Sequence, residues 1–168
     1  MEKLIELQNR IYNQNLELGW HDKPRPFNTF KCLFNSELSE AMEGLRKDLM
    51  DDHLPHYPMF YVELGDFVIR VFDYLGSIGF EHDYFVSIVA KNDSEIDCLS
   101  FLSDCVTDAG RSRPNEGKFL FAAAVSAISF AECRGVNIIQ IINEKIEYNK
   151  HRADHKRENR AKTGGKKF

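Results

Sequence analysis

Two acidic pairs with the same internal spacing are the residues of this chain that are best suited to chemistry. Glu37 and Glu40 lie three positions apart, and after a spacer of 22 residues Glu63 and Asp66 repeat that separation. Residues at i and i+3 share one face of a helix. Clusters made only of carboxylate oxygens suit hard cations, Mg²⁺ or Mn²⁺, rather than zinc. The four acids therefore predict a magnesium site.

The segment that carries the second pair gives the strongest reason to expect a cation. Between residues 58 and 76 nearly every side chain is apolar, and the polar ones fall on one stripe roughly 80° wide. The stripe consists of Glu63, Asp66, Arg70 and Asp73. A helix that is apolar around most of its girth is buried, and a buried carboxylate without a counter-charge costs several kcal/mol. Arg70 can pair with Asp66 or Asp73, which leaves at least one acid unmatched.

These acids have two alternative interpretations. Glu40 and Glu43 could be surface acids that pair with Arg46 and Lys47, and we expect this of Glu43 but not of Glu40. A ferritin-like di-iron site also uses acids inside a helical bundle, but it requires Glu-x-x-His on two helices. Here the third residue after each glutamate is Glu40 or Asp66, so the sequence argues against iron.

The elements that must position these acids are helices. Apolar periodicity predicts an all-α bundle of about five to six helices joined by short connections. Ser94 and Asp97 are expected to form a capping box, and a further short helical segment is expected over residues 81–90. The main helices are predicted over 2–18, 28–50, 58–75, 95–109, 118–134 and 136–153.

Size and composition favour one folded domain over residues 1–157 with a basic tail over 158–168. The chain has 168 residues, of which 43% are hydrophobic and 29% are charged. Its longest near-apolar run, residues 119–131, is too short for a bilayer, which needs about 20 residues. The opening residues show no secretory pattern. The four cysteines form no C-x-x-C pair and are expected to be reduced core residues. A cytoplasmic protein without a membrane partner is therefore expected.

Charge is distributed unevenly along the chain. Residues 145–168 contain nine Lys or Arg against three acidic residues, and residues 1–144 carry a net charge of −10. An acidic body that collects divalent cations and a basic end that meets phosphate would explain this asymmetry. A solvated tail that only keeps the protein soluble would explain it equally well.

Three segments, taken together and in order, resemble one protein family. They are SELSEAMEGLRKD at 36–48, ELGDFVIRVFDYLG at 63–76, and the ending Lys145-x-x-x-Asn149-x-x-Arg152 followed by Gly164-Gly165-Lys166. They resemble the MazG-like all-α nucleoside triphosphate pyrophosphohydrolases, which include dimeric-type dUTPases and dCTP pyrophosphatases. Residues 80–117 have no counterpart in this resemblance.

The resemblance implies an enzyme. It implies Mg²⁺-dependent cleavage between the α- and β-phosphates of a nucleoside triphosphate, with Mn²⁺ as a substitute ion, to give a nucleoside monophosphate and pyrophosphate. Glu37, Glu40, Glu63 and Asp66 would be the metal ligands, and either Glu37 or Glu40 could instead act as the catalytic base. It also implies a homo-oligomer, either a dimer or a tetramer.

Five further residues are candidates for substrate binding. Trp20 could stack on a base or serve only as a lid over the core. Lys145, Asn149 and Arg152 would line one face of the final helix and contact phosphate, and Lys166 could swing in on a glycine hinge. The alternative for these residues is a solvated helix end.

Two non-enzymatic functions remain open. The chain could be a sensor that binds Mg-nucleotide without turnover, or a helical adaptor whose basic tail contacts phosphate. A nucleic-acid partner is not expected, because the tail has no aromatic residue before Phe168.

A faint internal repeat is also present. Aligning Gly79 with Gly135 places Phe119 opposite Glu63 and Ala122 opposite Asp66. Either the chain has two similar halves, of which only the first has its acids, or short helices look alike by chance. If the two halves are real, one chain could supply both halves of a smaller bundle, and the inference of a homo-oligomer becomes weaker.

Overall fold

A computed structural model describes residues 2–81 and 93–167 of the chain, and these residues fold as packed helices without a β-strand. An antiparallel bridge between Met50 and Pro58 closes the connection between the second and third helices. The helices are α1 (Glu2–Glu17), α2 (Phe27–Lys47), α3 (Met59–Ser77), α4 (Glu95–Arg111), α5 (Glu116–Cys133), α6 (Ile138–His151) and α7 (Arg157–Arg160).

The predicted all-α class and the six main helices are confirmed. Most boundaries agree within three residues, and the capping box forms as expected: the Ser94 hydroxyl accepts from the Asp97 backbone N–H at 3.2 Å, and the Asp97 carboxylate accepts from the Ser94 N–H at 3.0 Å. The prediction did not include the four-residue α7 or the short 3₁₀ turns at Arg113–Asn115 and Ala153–His155. Apart from Glu81, the segment predicted over 81–90 lies outside the described residues.

Helix α3 is the centre of the fold. It packs against α1, α2, α5 and α6, and this explains why its sequence is apolar around most of its girth. Gly76 allows α1 to approach closely, because a Cβ atom at that position would lie 2.6 Å from the Cβ of Tyr12. The polar stripe of α3 is therefore held inside the molecule.

The remaining helices complete the core around α3. Helix α5 packs on α3, α4 and α6, and α2 also contacts α4. Nearly all of the apolar run at residues 119–131 is buried, as predicted. The described part of the chain has no single helix long and apolar enough to cross a bilayer. One pair of segments, Arg113–Cys133 with Ile138–His151, meets the length and composition criteria only as a unit bent by 117°.

The prediction that all four cysteines lie in the core is half right. Cys98 and Cys105 are buried free thiols, and burial raises their pKa values to about 12 and about 11. Cys32 and Cys133 are exposed. Cys32 faces away from the buried side of α2, and Cys133 ends α5 where that helix leaves the core.

The C-terminal segment returns to the loop between α1 and α2. Arg157 donates to the carbonyl of Leu16 at 3.2 Å and to the carboxylate of Asp22 at 2.9 Å. Arg160 donates to the carbonyl of Leu18 at 3.0 Å. These contacts place the end of the chain beside Trp20.

Candidate functional site

Three of the four predicted carboxylates converge between α2 and α3. Glu37, Glu63 and Asp66 each offer one oxygen, and the three oxygens lie within 4.8 Å of one another. We call these three residues the acidic cluster. Glu40 lies outside it, because the next turn of α2 carries this side chain to an exposed position.

The acidic cluster is strongly desolvated. Glu37 and Glu63 are only 4% and 5% exposed. Burial, followed by the charge of Asp66, raises the pKa of Glu63 far above its ordinary value. Burial also raises the pKa of Asp66, and the charge of Glu37 raises it further, although Lys145 opposes both effects. One oxygen of Glu63, Oε2, is buried and has no hydrogen-bond partner in the part of the chain that the structure describes.

Two cations neutralise the other members of the cluster. Arg70 donates from Nε to the carboxylate of Glu37, and Lys145 places Nζ 3.0 Å from Asp66. The sequence offered only Asp66 and Asp73 as partners for Arg70. The structure pairs it across the interface between α3 and α2, because Glu37 faces α3. Glu63 is left as the acid without a counter-charge of its own.

Lys145 has a different position from the one expected of a phosphate clamp. Its side chain is only 2% exposed, and besides Asp66 it faces the buried carboxylate of Asp51 at 3.9 Å. The other oxygen of Asp51 accepts from the backbone N–H groups of His53 and Leu54, at 2.9 and 2.7 Å. Asp51 thus fixes the connection between α2 and α3 against Lys145. Asp51 is not among the site residues predicted from the sequence.

A cavity of about 90 Å³ adjoins the acidic cluster at Asp66. Four of the five predicted substrate-binding residues line it: Trp20, Asn149, Arg152 and Lys166. Its other charged or titratable residues include Arg25, Arg70, Asp73 and His155. The wall of the cavity therefore carries more cationic than anionic side chains.

The predicted helical face of Lys145, Asn149 and Arg152 is wrong at its last position. Helix α6 ends at His151, and Arg152 has an extended backbone with φ −63° and ψ 129°. The Arg152 side chain makes a bidentate contact with Asp154, at 2.9 and 2.7 Å. Lys166 lies 3.8 Å from the same carboxylate. Arg152 and Lys166 thus reach the cavity through the fold of the chain after α6.

Trp20 lies in the cavity wall with part of its ring already covered. The Arg160 guanidinium lies over the indole, 3.6 Å from the ring centroid, and the His155 ring meets it edge-on at 5.2 Å. This arrangement fixes the orientation of the indole. A base could contact only the part of the ring that Arg160 leaves open.

Two further cavity residues were missed by the sequence analysis. Arg25 and His155 are largely buried, and they carry side-chain nitrogens that have no hydrogen-bond partner among the described residues. Burial, together with the charges of Lys166 and Arg152, lowers the pKa of His155 to about 4. Arg25 had one signal in the sequence, its position between two prolines. His155 had none, because basic residues surround it in the chain.

Glu43 behaves as the sequence predicts. Its carboxylate pairs with Lys47 and lies 3.7 Å from Arg46, on the surface of α2 and away from the acidic cluster.

Comparison of the chain with protein-family models, with curated proteins and with solved structures gave no match.

Proposed function

We propose that this protein is a Mg²⁺-dependent nucleoside triphosphate pyrophosphohydrolase, which cleaves the bond between the α- and β-phosphates. One observation supports the proposal above all others. A buried carboxylate with an unpartnered oxygen, that of Glu63, lies among other carboxylates and next to a cavity rich in cations.

The acidic cluster fits a divalent cation chemically. Its donors are oxygens only, which favours Mg²⁺ or Mn²⁺ over softer metals. The raised pKa values of Glu63 and Asp66 reflect desolvation and mutual repulsion, and a cation would relieve both. Glu37, Glu63 and Asp66 would hold the ion. When bound, it would neutralise phosphate charge and lower the pKa of a water molecule.

The charges around the cavity suit the phosphate chain of the substrate. A triphosphate carries about four negative charges, more than one or two divalent ions beside ionised carboxylates balance locally. Arg152 and Lys166 supply positive charge, and Asn149 supplies a side-chain amide whose nitrogen can donate to a phosphate oxygen. Trp20 supplies aromatic surface for the nucleoside end.

Hydrolysis at the α-phosphate needs a group that accepts a proton from water. Glu40 suits this role better than Glu37. Glu37 is paired with Arg70, whereas Glu40 lies at a position that water can reach. Partial burial, followed by the charge of Glu37, raises the pKa of Glu40. The water oxygen would bond to the α-phosphorus as the bond to the bridging oxygen breaks. Pyrophosphate leaves with that bridging oxygen, and the proton goes to Glu40.

Hydrolysis in ¹⁸O-labelled water tests the reaction directly. Ordinary and damaged nucleoside triphosphates are incubated with the protein and Mg²⁺, and the products are analysed by ³¹P NMR and mass spectrometry. We expect a nucleoside monophosphate that carries the label, together with unlabelled pyrophosphate. Label in pyrophosphate would mean attack at the β-phosphate. A nucleoside diphosphate with orthophosphate, or Mg-nucleotide binding without turnover, would contradict the proposed function, and the last result would favour a sensor.

A further inference from the structure

Arg25 is held rigidly in the wall of the cavity. Pro24 and Pro26 flank it, and both restrict the backbone around it. Its guanidinium lies over the ring of Phe30, 4.3 Å from the centroid. The nearest acid, Asp73, is 3.7 Å away from Nη2, which is too far for a hydrogen bond. The side chain is thus oriented by stacking rather than by hydrogen bonds.

Two buried donors of Arg25 have no partner among residues 2–81 and 93–167. Neither Nε nor Nη2 makes a hydrogen bond to these residues, and the side chain is 12% exposed. The nearby acid is itself engaged, because one oxygen of Asp73 contacts Nε2 of His21 at 2.7 Å. A buried donor that makes no hydrogen bond costs about 1–3 kcal/mol, and more when the donor is charged. This arrangement would be stabilised by a ligand that accepts both hydrogen bonds.

The surroundings of Arg25 select the charge of such a ligand. Arg70, Arg152 and Lys166 line the same cavity. Burial is the main reason that the pKa of Arg25 is lowered, and the charges of Arg70 and Arg160 lower it further, against the effect of Asp73. An anion would offset this excess of positive charge.

We propose that Arg25 binds the phosphate chain of the substrate, with Nε and Nη2 donating to two oxygens of one phosphate group. The planar guanidinium matches two phosphate oxygens in a way that a lysine ammonium does not. Arg25 thus completes a phosphate site whose other cations, Arg152 and Lys166, come from the opposite end of the chain. This inference rests on the proposed function for the identity of the natural ligand.

Calorimetry with inorganic tripolyphosphate tests the site without requiring turnover or knowledge of the base. The full chain is titrated in EDTA as wild type, Arg25→Gln, Arg25→Lys and Arg157→Gln. Arg157 is the matched control, because it contacts the same loop but does not line the cavity. We expect affinity to fall at least tenfold in Arg25→Gln and at least threefold in Arg25→Lys, and to stay within twofold of wild type in Arg157→Gln. Wild-type affinity in Arg25→Gln would overturn the proposal.

A measurement on the wild-type protein covers the case in which Arg25→Gln fails to fold. With ¹⁵N-arginine labelling, the Nε–H resonance that disappears in Arg25→Lys is assigned to Arg25. We expect this resonance to shift and saturate as tripolyphosphate is added, and an unchanged resonance would overturn the proposal.

Failure of this proposal is distinguishable from failure of the proposed function. If no nucleoside triphosphate is hydrolysed but tripolyphosphate binding depends on Arg25, the phosphate site stands and the hydrolase is wrong. If hydrolysis proceeds and Arg25→Gln leaves KM and kcat unchanged, the hydrolase stands and Arg25 has no part in binding.

Discussion

At the scale of single residues, Glu63 combines burial, negative charge and an oxygen without a partner. Arg70 and Lys145 neutralise the other two members of the acidic cluster, so Glu63 has the least support in the metal-free protein. Because its pKa is raised above 4.5, Glu63 destabilises the fold progressively as the pH rises above that value. A bound cation would reverse this effect by favouring the ionised carboxylate.

We therefore expect Glu63→Gln to abolish turnover and stabilisation by metal, but not folding. Removing a buried acid relieves repulsion, so the melting temperature without metal should hold or rise. In the wild type, Mg²⁺ at 100 times its Kd should stabilise the fold by about 2.7 kcal/mol. Thermal melts with and without Mg²⁺ measure both effects. Glu43→Gln, on the surface of α2, is the control and should behave as wild type. A full Mg²⁺ shift in Glu63→Gln would exclude Glu63 as a ligand.

His155 gives a prediction about acid stability. Burial lowers its pKa to about 4, with help from Lys166, Arg152 and Arg70 and against the effect of Asp154. The folded protein therefore binds the proton less readily than the unfolded chain between pH 6.5 and 4. His155 contributes stability above pH 6.5 that is lost as the pH falls through this range.

We expect the free energy of unfolding to fall less steeply in His155→Gln than in the wild type between pH 6.5 and 4. Urea titrations at several pH values across that range measure the slope of the free energy of unfolding against pH for each protein. The carboxylates contribute to both slopes, so their contribution cancels in the difference. Parallel slopes would show that His155 is not a buried neutral imidazole.

At the scale of elements, short-range signals in the sequence define where helices begin and end. The capping box of α4 is the clearest example, since Ser94 and Asp97 satisfy each other's backbone N–H groups. Asp48 ends α2 with a left-handed φ of 51°, and its backbone N–H donates to the carbonyls of Gly44 and Leu45. The predicted end, residue 50, was three residues too late. In both cases the residues that determine the boundary lie within a few positions of it.

Ser94→Ala should destabilise the protein by about 1 kcal/mol, because it removes the hydroxyl that forms one half of the reciprocal capping box. Denaturant unfolding followed by far-UV circular dichroism measures the change. Ser100→Ala, on an exposed position of the same helix, is the matched control and should change stability by less than about 0.5 kcal/mol. Equal effects of the two variants would mean that the cap contributes nothing.

At the scale of the whole molecule, the two ends of the chain meet at the cavity. Arg160 covers Trp20 and holds the carbonyl of Leu18, and Lys166 reaches the cavity wall six residues later. A Cβ atom on Gly165 would lie 2.4 Å from the carbonyl oxygen of Arg160, so the turn before Lys166 depends on a glycine. Deleting residues 158–168 would remove these structural contacts together with the cation, so single substitutions separate the two roles.

Lys166→Ala should raise KM for the nucleotide at least tenfold with little change in the melting temperature. The side chain lines the cavity, and Asp154, the acid that lies 3.8 Å from its ammonium group, is already bound by Arg152. Lys162→Ala is the matched control, because Lys162 is exposed and its ammonium group donates to the side chain of Asn159 in its own segment. Steady-state kinetics on the best substrate measure the difference. Identical KM values for the two variants would mean that the basic tail only contributes charge that keeps the protein soluble.

Assembly and internal repetition stay predictions. Helices α2 and α3 form one packed pair and α4 and α5 another, and the two pairs contact each other through α3 with α5 and α2 with α4. Phe119 and Ala122, at the positions aligned with Glu63 and Asp66, are apolar members of α5. The dimer or tetramer that the family resemblance implies can be checked by sedimentation at several concentrations.

The sequence by itself determined the six main helices and all three members of the acidic cluster, although it also assigned Glu40 to the site. Apolar periodicity and caps are local properties, so they identified six helices correctly. The apolar girth of α3 predicted buried acids on its polar stripe, and Glu63 is buried while Asp66 is partly buried. Glu37 could be added because the edge of the apolar stripe of α2 faces α3. These inferences succeeded because each depends on residues close together in the chain.

Only the tertiary structure decided which groups meet across the helices. In the folded protein Glu40 lies outside the cluster and Arg70 pairs with Glu37. Lys145 faces Asp66 and Asp51. The tertiary structure also brought Arg25 to a cavity shared with the end of the chain. Helical periodicity specifies which face of a helix is buried, but not which distant element covers that face. The partner of a charged side chain therefore depends on packing between segments far apart in the sequence.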